Sequence, residues 1–161
     1  MSKKESKTNR IGLETEKTEK LAKKLNKLLA NYQLYYQNLR GFHWNIKGKN
    51  FFELHVKFEE LYTEAQQQID EIAERILTLG HQPLHTFSDY LSVSDIKEIK
   101  GVSKDETAVK TVVANLNTLL EIERKVLDLA GEQEDEGTTD LISGLVSGQE
   151  KHVWMLTAWL G

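Results

Sequence analysis

The chain has 161 residues, of which 39% are hydrophobic and 29% charged, and its formal net charge is −4. This length fits one domain with a buried core, and the acidic balance argues against a generally basic nucleic-acid-binding surface. One proline, no cysteine, no signal-like segment and no apolar run of about 18 residues predict a mostly helical, cytoplasmic protein without disulfides, thiolate metal sites or a membrane partner.

The first predicted element is a flexible, mildly basic tail over residues 1–12, which precedes one domain over residues 13–161. The tail has no apolar periodicity and carries four basic residues and one acid, namely Lys3, Lys4, Lys7, Arg10 and Glu5. Such a segment either makes weak contacts with DNA phosphates or keeps the protein soluble, and the sequence leaves both interpretations open.

Apolar residues at spacings of three and four predict four long helices in the domain. Their predicted bounds are Thr15 to about Trp44, Phe51 to Leu79, about Asp105 to Leu129, and about Thr138 to Leu160. Gly80 with Pro83 is predicted to end the second helix, and Gly131 the third. Thr138 or Thr139 is predicted to lie near the N-cap of the fourth.

The connection from His81 to Lys104 is too long for an ordinary turn. It is predicted to contain a short helix from Ser88 to Val93, with an end as late as Lys100 as the alternative. A long crossover lets the second and third helices run parallel, as in bundles with one such connection.

Candidate metal ligands accompany the second predicted helix. With His55 as zero and about 100° per residue, Glu59 lies near 40°, Asp70 near 60° and Glu74 near 100° on the helix wheel. His43 lies shortly before this helix. These residues border the apolar arc of the helix, so the sequence predicts polar side chains beside the core.

The spacing along the helix argues for a site between two chains. His55 and Asp70 are fifteen residues apart, which is roughly 22 Å along a helix, so one metal ion cannot join them within one chain. An antiparallel copy, crossing near Tyr62 to Gln66, would bring His55 of one chain beside Asp70 of the other. Imidazoles and carboxylates suit ferrous iron, although zinc can occupy similar ligands.

The pattern H-W-N-x-x-G-x-x-F-x-x-L-H over residues 43–55, with acids fifteen and nineteen positions after the second histidine, resembles the Dps proteins, the mini-ferritins of bacteria and archaea. The resemblance extends over nearly the whole chain, including the C-terminal KHVWMLTAWL, and leaves out only the tail. It implies an all-α, ferritin-like four-helix bundle with a short helix in the crossover, assembled as a homo-oligomeric, hollow dodecamer.

The resemblance also implies a ferroxidase that oxidises Fe(II), preferably with hydrogen peroxide, and stores ferric mineral, thereby protecting DNA. His43 and His55 of one subunit and Asp70 and Glu74 of its two-fold mate would then hold the iron. Glu59 departs from the pattern because many relatives have Asp there, so a mono-iron or asymmetric centre is an alternative. Conventional ferritins use a Glu-x-x-His pair on a helix. This sequence contains no such pair.

Three further interpretations remain open in the sequence. Trp44 either donates an electron to quench radicals or packs at the interface. Glu136 and Asp140, four residues apart, line an iron-entry pore at a three-fold axis or complement a helix N-terminus. The rival functions are a DNA-compacting protein associated with the nucleoid, in which iron chemistry is secondary, and a non-catalytic structural shell.

Overall fold

The computed structural model describes residues 7–161, which form five helices. Their bounds are α1 Thr15–Asn45, α2 Phe51–Thr78, α3 Phe87–Val93, α4 Asp105–Glu132 and α5 Glu136–Leu160. Within the described range the only extended pairing is an isolated bridge between Thr8 and Glu14. The all-α prediction is therefore confirmed, as is the short helix in the crossover.

The long helices form a four-helix bundle around one apolar core. α1 packs against α2, α3 and α4, and α4 packs against α5. The predicted apolar stripes are the core: fully buried members include Leu25, Leu28, Phe58, Ile72, Ile76, Val112, Leu116 and Leu119. Each such side chain contributes about 1.5–3 kcal/mol through burial, so packing holds the helices in place. None of the helices in residues 7–161 has both the length and the apolar character needed to cross a membrane.

The end of α2 follows the predicted glycine signal. Gly80 has a φ of 88°, the left-handed conformation that favours glycine. The N–H of His81 donates to the carbonyl of Ile76 at 3.1 Å, and the N–H of Gly80 donates to Leu77 at 2.9 Å. These bonds satisfy carbonyl groups that the last helical turn would leave unpaired.

The predicted end of the third long helix is wrong. Gly131 lies inside α4, which continues to Glu132. The left-handed residue is instead Glu134, with a φ of 57°. The N–H groups of Glu134 and Asp135 donate to the carbonyls of Gly131 and Ala130, at 3.1 and 2.9 Å, so Glu134 takes the place that glycine usually has after a helix.

The last helix, α5, begins two residues before its predicted start. Its N-cap is Asp135, three residues before Thr138, which was predicted to lie near the N-cap. The Asp135 carboxylate accepts hydrogen bonds from the N–H and the hydroxyl of Thr138, at 3.0 and 2.7 Å. Asp135 is buried although its acidic neighbours Glu134 and Glu136 are exposed.

Residues 1–6, including Lys3 and Lys4 of the predicted tail, lie outside the described residues. In the part of the tail that is described, Asn9 accepts hydrogen bonds from the N–H groups of Ile11 and Leu13, at 3.1 and 2.9 Å. The Asn9 amide donates to the carbonyl of Leu79 at 3.2 Å. Asn9 thus connects the segment before α1 to the end of α2.

Candidate metal centre

His43 and His55 lie together where the end of α1 meets the start of α2. Their rings stack with centroids 3.8 Å apart and planes 12° from parallel. Nδ1 of His43 lies 2.6 Å from the carbonyl oxygen of His55, and Nδ1 of His55 lies 2.7 Å from the carbonyl oxygen of His43. Because a carbonyl oxygen only accepts, both Nδ1 atoms carry a proton.

When a proton on Nδ1 is the ring's only one, the lone pair of Nε2 is available to a metal ion. A backbone carbonyl bonded to one ring nitrogen is the usual way to orient a metal-binding histidine. Within residues 7–161, neither Nε2 atom has a hydrogen-bond partner. The donor chemistry therefore fits two nitrogen ligands for a divalent transition metal.

Two aromatic side chains pack against the histidine pair, and neither contact was predicted from the sequence. Phe51 stacks on His55 with centroids 4.9 Å apart. The ring of Tyr62 meets that of His43 edge-on, with centroids 5.3 Å apart. Phe51 and Tyr62 lie four residues before and seven residues after His55, so helical spacing was the signal that could have revealed them.

Asp70 and Glu74 lie on the same helix as His55 but far from it. α2 is continuous from Phe51 to Thr78, so the fifteen residues between His55 and Asp70 amount to roughly 22 Å. Both carboxylates are exposed. Within the described residues of one chain, no three His, Asp or Glu side chains form a group that would hold a metal ion.

Exposed apolar side chains surround the histidine pair. Phe52 is 82% exposed, Trp44 57% and Val56 52%. Phe52 and Val56 belong to a stripe of exposed residues on α2. Its members are spaced by three or four residues and are Phe52, Val56, Glu59, Thr63, Gln66, Asp70, Glu74 and Leu77. Apolar residues clustered on an exposed helix face are typical of a surface that contacts another protein.

Comparison with known proteins identifies the fold. The ferritin-like domain family matches residues 22–161. The Dps protein of Vibrio cholerae O1, described as a member of a broad superfamily of ferritin-like diiron-carboxylate proteins, shares 52% sequence identity and a TM-score of 0.95 over 99% of this chain and 100% of that chain. The DNA protection during starvation protein of Porphyromonas gingivalis is 46% identical over 148 residues, 92% of this chain and 93% of that protein.

The chain belongs to the Dps family. A more distant structure, Dps from Thermosynechococcus elongatus, has 33% identity and a TM-score of 0.87 over 91% of this chain and 94% of that one. The resemblance predicted from the His-Trp-Asn motif and the acidic spacing is therefore confirmed, together with the ferritin-like fold.

Among the described residues, Glu59 of this Dps chain does not form a metal-binding group with the histidine pair. It is exposed and lines an open depression of about 460 Å³ together with Glu60, Glu64 and other residues of α2. Its position one turn after His55 keeps it on the histidine side of α2. Glu59 therefore stays a predicted metal ligand, and its side chain is exposed to solvent in the single chain.

Trp44 lies beside the histidine pair but points outward. The guanidinium of Arg40 lies 4.9 Å from the centre of the Trp44 ring and 5.2 Å from that of Tyr36. This cation–π contact fixes an exposed indole at the Dps subunit surface. Both predicted roles of Trp44, electron donation and interface packing, are compatible with that position.

The predicted pore residues Glu136 and Asp140 lie in the first turns of α5 and are exposed. The start of α5 is held by Arg75 of α2, whose Nη2 donates to Asp135 at 2.7 Å and whose Nε donates to Thr138 at 2.9 Å. The two predicted pore carboxylates are thus presented by a helix end that α2 fixes in place.

Two further polar contacts inside the bundle were not predicted. Nε2 of His152 lies 2.6 Å from Oε2 of Glu64 and connects α5 to α2. The hydrogen bond from His152 lowers the pKa of the Glu64 carboxyl. The second contact is a buried network of Tyr32, Glu123 and Gln149 across α1, α4 and α5.

Proposed function

We propose that this Dps protein oxidises ferrous iron at centres shared between two subunits and stores the ferric product inside a hollow dodecamer. The observation that carries the proposal is the histidine pair. Both Nδ1 atoms are bonded to backbone carbonyls, and neither Nε2 atom has a hydrogen-bond partner among residues 7–161. The membership in a ferritin-like family supports iron as the metal. Zinc, which takes similar ligands, is expected to compete for the same site.

The separation along α2 supports a centre between subunits. His43 and His55 supply nitrogen at one end of the exposed stripe, and Asp70 and Glu74 supply carboxylate oxygen near the other. A second subunit, antiparallel across a two-fold axis, would place its acids beside the histidines of the first. The same operation generates an equivalent second centre. Burial of Phe52, Val56 and Trp44 would favour this pairing.

Ferrous iron is the substrate, and hydrogen peroxide is the expected oxidant. Two Fe(II) ions each give one electron, the O–O bond of hydrogen peroxide breaks, and two protons complete two water molecules, leaving two Fe(III) ions. Histidine and carboxylate ligands fill only part of an iron coordination shell, so positions remain for the oxidant. Consuming both reactants in one two-electron reaction avoids release of hydroxyl radical. This is how the protein would protect DNA.

Iron would reach the interior past Glu136 and Asp140. Carboxylates gathered at a pore raise the local concentration of cations. Glu132 and Glu134, also exposed, add to the negative charge at this end of the bundle. The three-fold pore itself is part of the proposal, since it requires neighbouring subunits.

The test is complementation between two inactive variants. H43A/H55A lacks the histidine ligands, and D70N/E74Q lacks the acidic ligands. A mixed dimer built from one subunit of each kind has one centre that has lost all four residues and one that is intact. After the two variants are unfolded and reassembled together, roughly a quarter of the wild-type centres should be active, because half of the dimers are mixed.

Each variant reassembled alone is the control, and light scattering must show the same particle size for every sample. Activity is followed as ferric absorbance after anaerobic Fe(II) loading and addition of limiting hydrogen peroxide. A mixture that stays as inactive as its parents contradicts centres shared between subunits. Full activity in either parent contradicts the ligand assignment.

A further inference from the structure

Three side chains at the candidate metal centre form one stack of rings: Phe51, His55 and His43. The centroid of the His55 ring lies 4.9 Å from that of Phe51, with planes 20° apart, and 3.8 Å from that of His43, with planes 12° apart. Two near-parallel rings at these distances would clash on the same face of an imidazole, so Phe51 and His43 lie on opposite faces of His55. The ring of His55 is therefore held between the other two.

Phe51 is anchored within its own subunit. It is the first residue of α2, and its N–H donates to the carbonyl of Gly48 at 3.1 Å. Its side chain is half-buried and packs against the apolar core. Phe51 lies four residues before His55, the spacing that brings two side chains of one helix into contact. The phenyl ring is thus a fixed wall against which His55 packs.

The stack removes a freedom that the hydrogen bond of His55 leaves. Nδ1 of His55 lies 2.7 Å from the carbonyl oxygen of His43, which determines the ring nitrogen that faces the backbone. The torsion that turns an imidazole ring is broad, so a single hydrogen bond permits the ring to tilt. A ring on each face restricts that tilt and keeps His55 nearly parallel to His43. The direction of the His55 Nε2 atom is thereby set.

His43 depends less than His55 on a single neighbour. His43 is buried, and the ring of Tyr62 meets it edge-on with centroids 5.3 Å apart. His55 is only half-buried, and its ring contacts within residues 7–161 are with Phe51 and His43. Of the two histidines, His55 is therefore the one whose orientation depends on Phe51.

We propose that Phe51 is a positioning residue of the metal centre, which holds His55 nearly parallel to His43 so that the two Nε2 atoms form a preorganised nitrogen pair. This inference rests on the proposed function and adds to it a residue that is not itself a ligand. A phenyl ring has no atom that binds the metal ion, so Phe51 acts through His55. Changes to the neighbours that orient metal-binding side chains typically weaken metal binding about 10–100-fold.

Preorganisation of the pair affects the binding of the metal ion more than the oxidation that follows. Without Phe51 the His55 ring is free to tilt, so it must be ordered when the metal ion binds, and the affinity falls by that cost. Once the ion is bound, the bond from Nε2 to the metal holds the ring. Loss of the phenyl ring should therefore raise KM for Fe(II) and leave kcat nearly unchanged.

The first test measures Co²⁺ binding to the full-length, assembled protein without oxidant, through the visible absorption of the bound ion. Co²⁺ takes the nitrogen and carboxylate ligands that suit Fe(II). F51L keeps an apolar side chain but removes the flat ring, so Kd should rise about tenfold. F51Y restores a ring that can stack and should bind within about twofold of wild type. At saturation F51L should show the wild-type spectrum, because the same ligands hold the ion.

The matched control is F87L, which makes the same change at a phenylalanine of α3. Phe87 is exposed, and its ring lies 6.3 Å from that of Tyr90 rather than beside a histidine. F87L should keep the wild-type Kd. Light scattering must show the same particle size for every variant. Where F51L does not assemble, F51M removes the ring with a more adaptable apolar side chain.

The second test is the rate of Fe(II) oxidation by hydrogen peroxide over a range of Fe(II) concentrations. For F51L we expect KM to rise about tenfold while kcat stays within about twofold of wild type. A kcat that falls while KM is unchanged would overturn the proposal, because Phe51 would then act in a step after the metal ion has bound.

The proposal is also overturned if F51L binds Co²⁺ as tightly as wild type, if F51Y binds as weakly as F51L, or if F87L weakens binding equally. A changed Co²⁺ spectrum in saturated F51L would overturn it too, since a ligand would then be lost rather than misplaced.

H43A/H55A distinguishes failure of this inference from failure of the proposed function. If H43A/H55A binds Co²⁺ like wild type, the histidine ligands are wrongly assigned, and the role of Phe51 is wrong with them. If H43A/H55A loses Co²⁺ binding while F51L keeps the wild-type Kd, the metal centre stands and only the role of Phe51 is wrong.

Discussion

His43 and His55 each donate a ring N–H to the backbone carbonyl of the other residue, at 2.6 and 2.7 Å, while their rings stack 3.8 Å apart. The two side chains therefore orient one another. Removal of either ring deletes a stacking partner from the ring that remains. The pair should behave as one unit in any measurement of metal binding.

We therefore expect H55A to slow Fe(II) oxidation by about 10–100-fold, and the double variant H43A/H55A to be little slower than H55A. The measurement is the initial rate of ferric absorbance with limiting hydrogen peroxide. H85A is the control, because His85 is exposed in the crossover and, among residues 7–161, its ring bonds only to the carbonyl of Pro83. If the fold-losses in oxidation rate of H43A and H55A multiply in the double variant, the two histidines act independently, which would contradict a mutually oriented pair.

Helix periodicity was sufficient to predict the four long helices, and the resemblance to the Dps proteins implied the ferritin-like bundle. Neither predicted the contacts between the elements. The apolar stripe of α2 and the spacing from His55 to Asp70 are properties of one continuous helix, so sequence alone predicted both. The stacking of His43 on His55 depends on how the turn after α1 packs, which no local pattern encodes. Asp135 was missed because its role as a buried cap depends on Arg75, sixty residues away.

Glu123 illustrates a signal that was present but overlooked. It lies three residues before Val126 and four after Leu119, in the apolar stripe of α4, and is fully buried. A carboxyl at such a position predicts a buried polar network, because an unpaired buried polar group is costly. Its partners Tyr32 and Gln149 come from other helices, so their identity required the structure.

The guanidinium of Arg75 on α2 packs closely against Gly137 on α5. A Cβ atom added to Gly137 would lie 2.8 Å from the Arg75 guanidinium, closer than real contacts allow. The absence of a side chain at position 137 thus makes room for the pairing of Arg75 with Asp135, which is 3% exposed.

R75A should lower the free energy of unfolding by about 3 kcal/mol, because it leaves the buried Asp135 carboxylate without its ion-pair partner. G137A should destabilise the protein by about 1 kcal/mol, although alanine is the better helix former. In the control G144A, on the same helix, no described atom lies within 4 Å of the new Cβ, so it should stabilise the protein by about 0.5–1 kcal/mol. Denaturant midpoints test all three, and equal responses of G137A and G144A would contradict the steric argument.

Neutralising the predicted pore should slow iron entry without impairing the oxidation centre. For E136Q/D140N we expect uptake at low ionic strength to slow several-fold, and the difference to shrink as salt screens the remaining charge. Stopped-flow oxidation at increasing Fe(II) measures this, since saturating iron should restore the wild-type rate. E121Q/E150Q, which removes two exposed acids elsewhere, is the control. Equal slowing in both double variants would argue against a pore.

The buried Glu123 carboxyl predicts how stability depends on pH. Its Oε1 accepts hydrogen bonds from the Tyr32 hydroxyl at 3.0 Å and the Gln149 amide at 2.7 Å, while Oε2 has no partner among the described residues. Burial raises the pKa of Glu123 to about 8, although the bonds from Tyr32 and Gln149 act in the opposite direction. The carboxyl is therefore protonated in the folded protein at neutral pH.

In the unfolded chain the same carboxyl ionises near its ordinary pKa of about 4.3. Between about pH 4 and about pH 8 the folded state binds one proton more than the unfolded state, because Glu123 is protonated only when folded. The stabilising contribution of Glu123 is therefore complete below about pH 4 and declines as pH rises to about 8. Above pH 8 both states are ionised and the decline ends. Over the whole window the loss is on the order of 5 kcal/mol.

E123Q keeps the shape of the neutral acid but cannot ionise, so its unfolding midpoint should lose this pH dependence. The difference between wild type and E123Q, measured from about pH 5 to 8.5, cancels the other titrating groups that the two proteins share. We expect wild type to lose stability relative to E123Q steadily up to about pH 8. If the stabilities of wild type and E123Q change in parallel with pH, Glu123 has the same pKa in the folded and the unfolded protein. If wild type becomes more stable relative to E123Q as pH rises, the buried carboxylate is charged and stabilised in the folded protein.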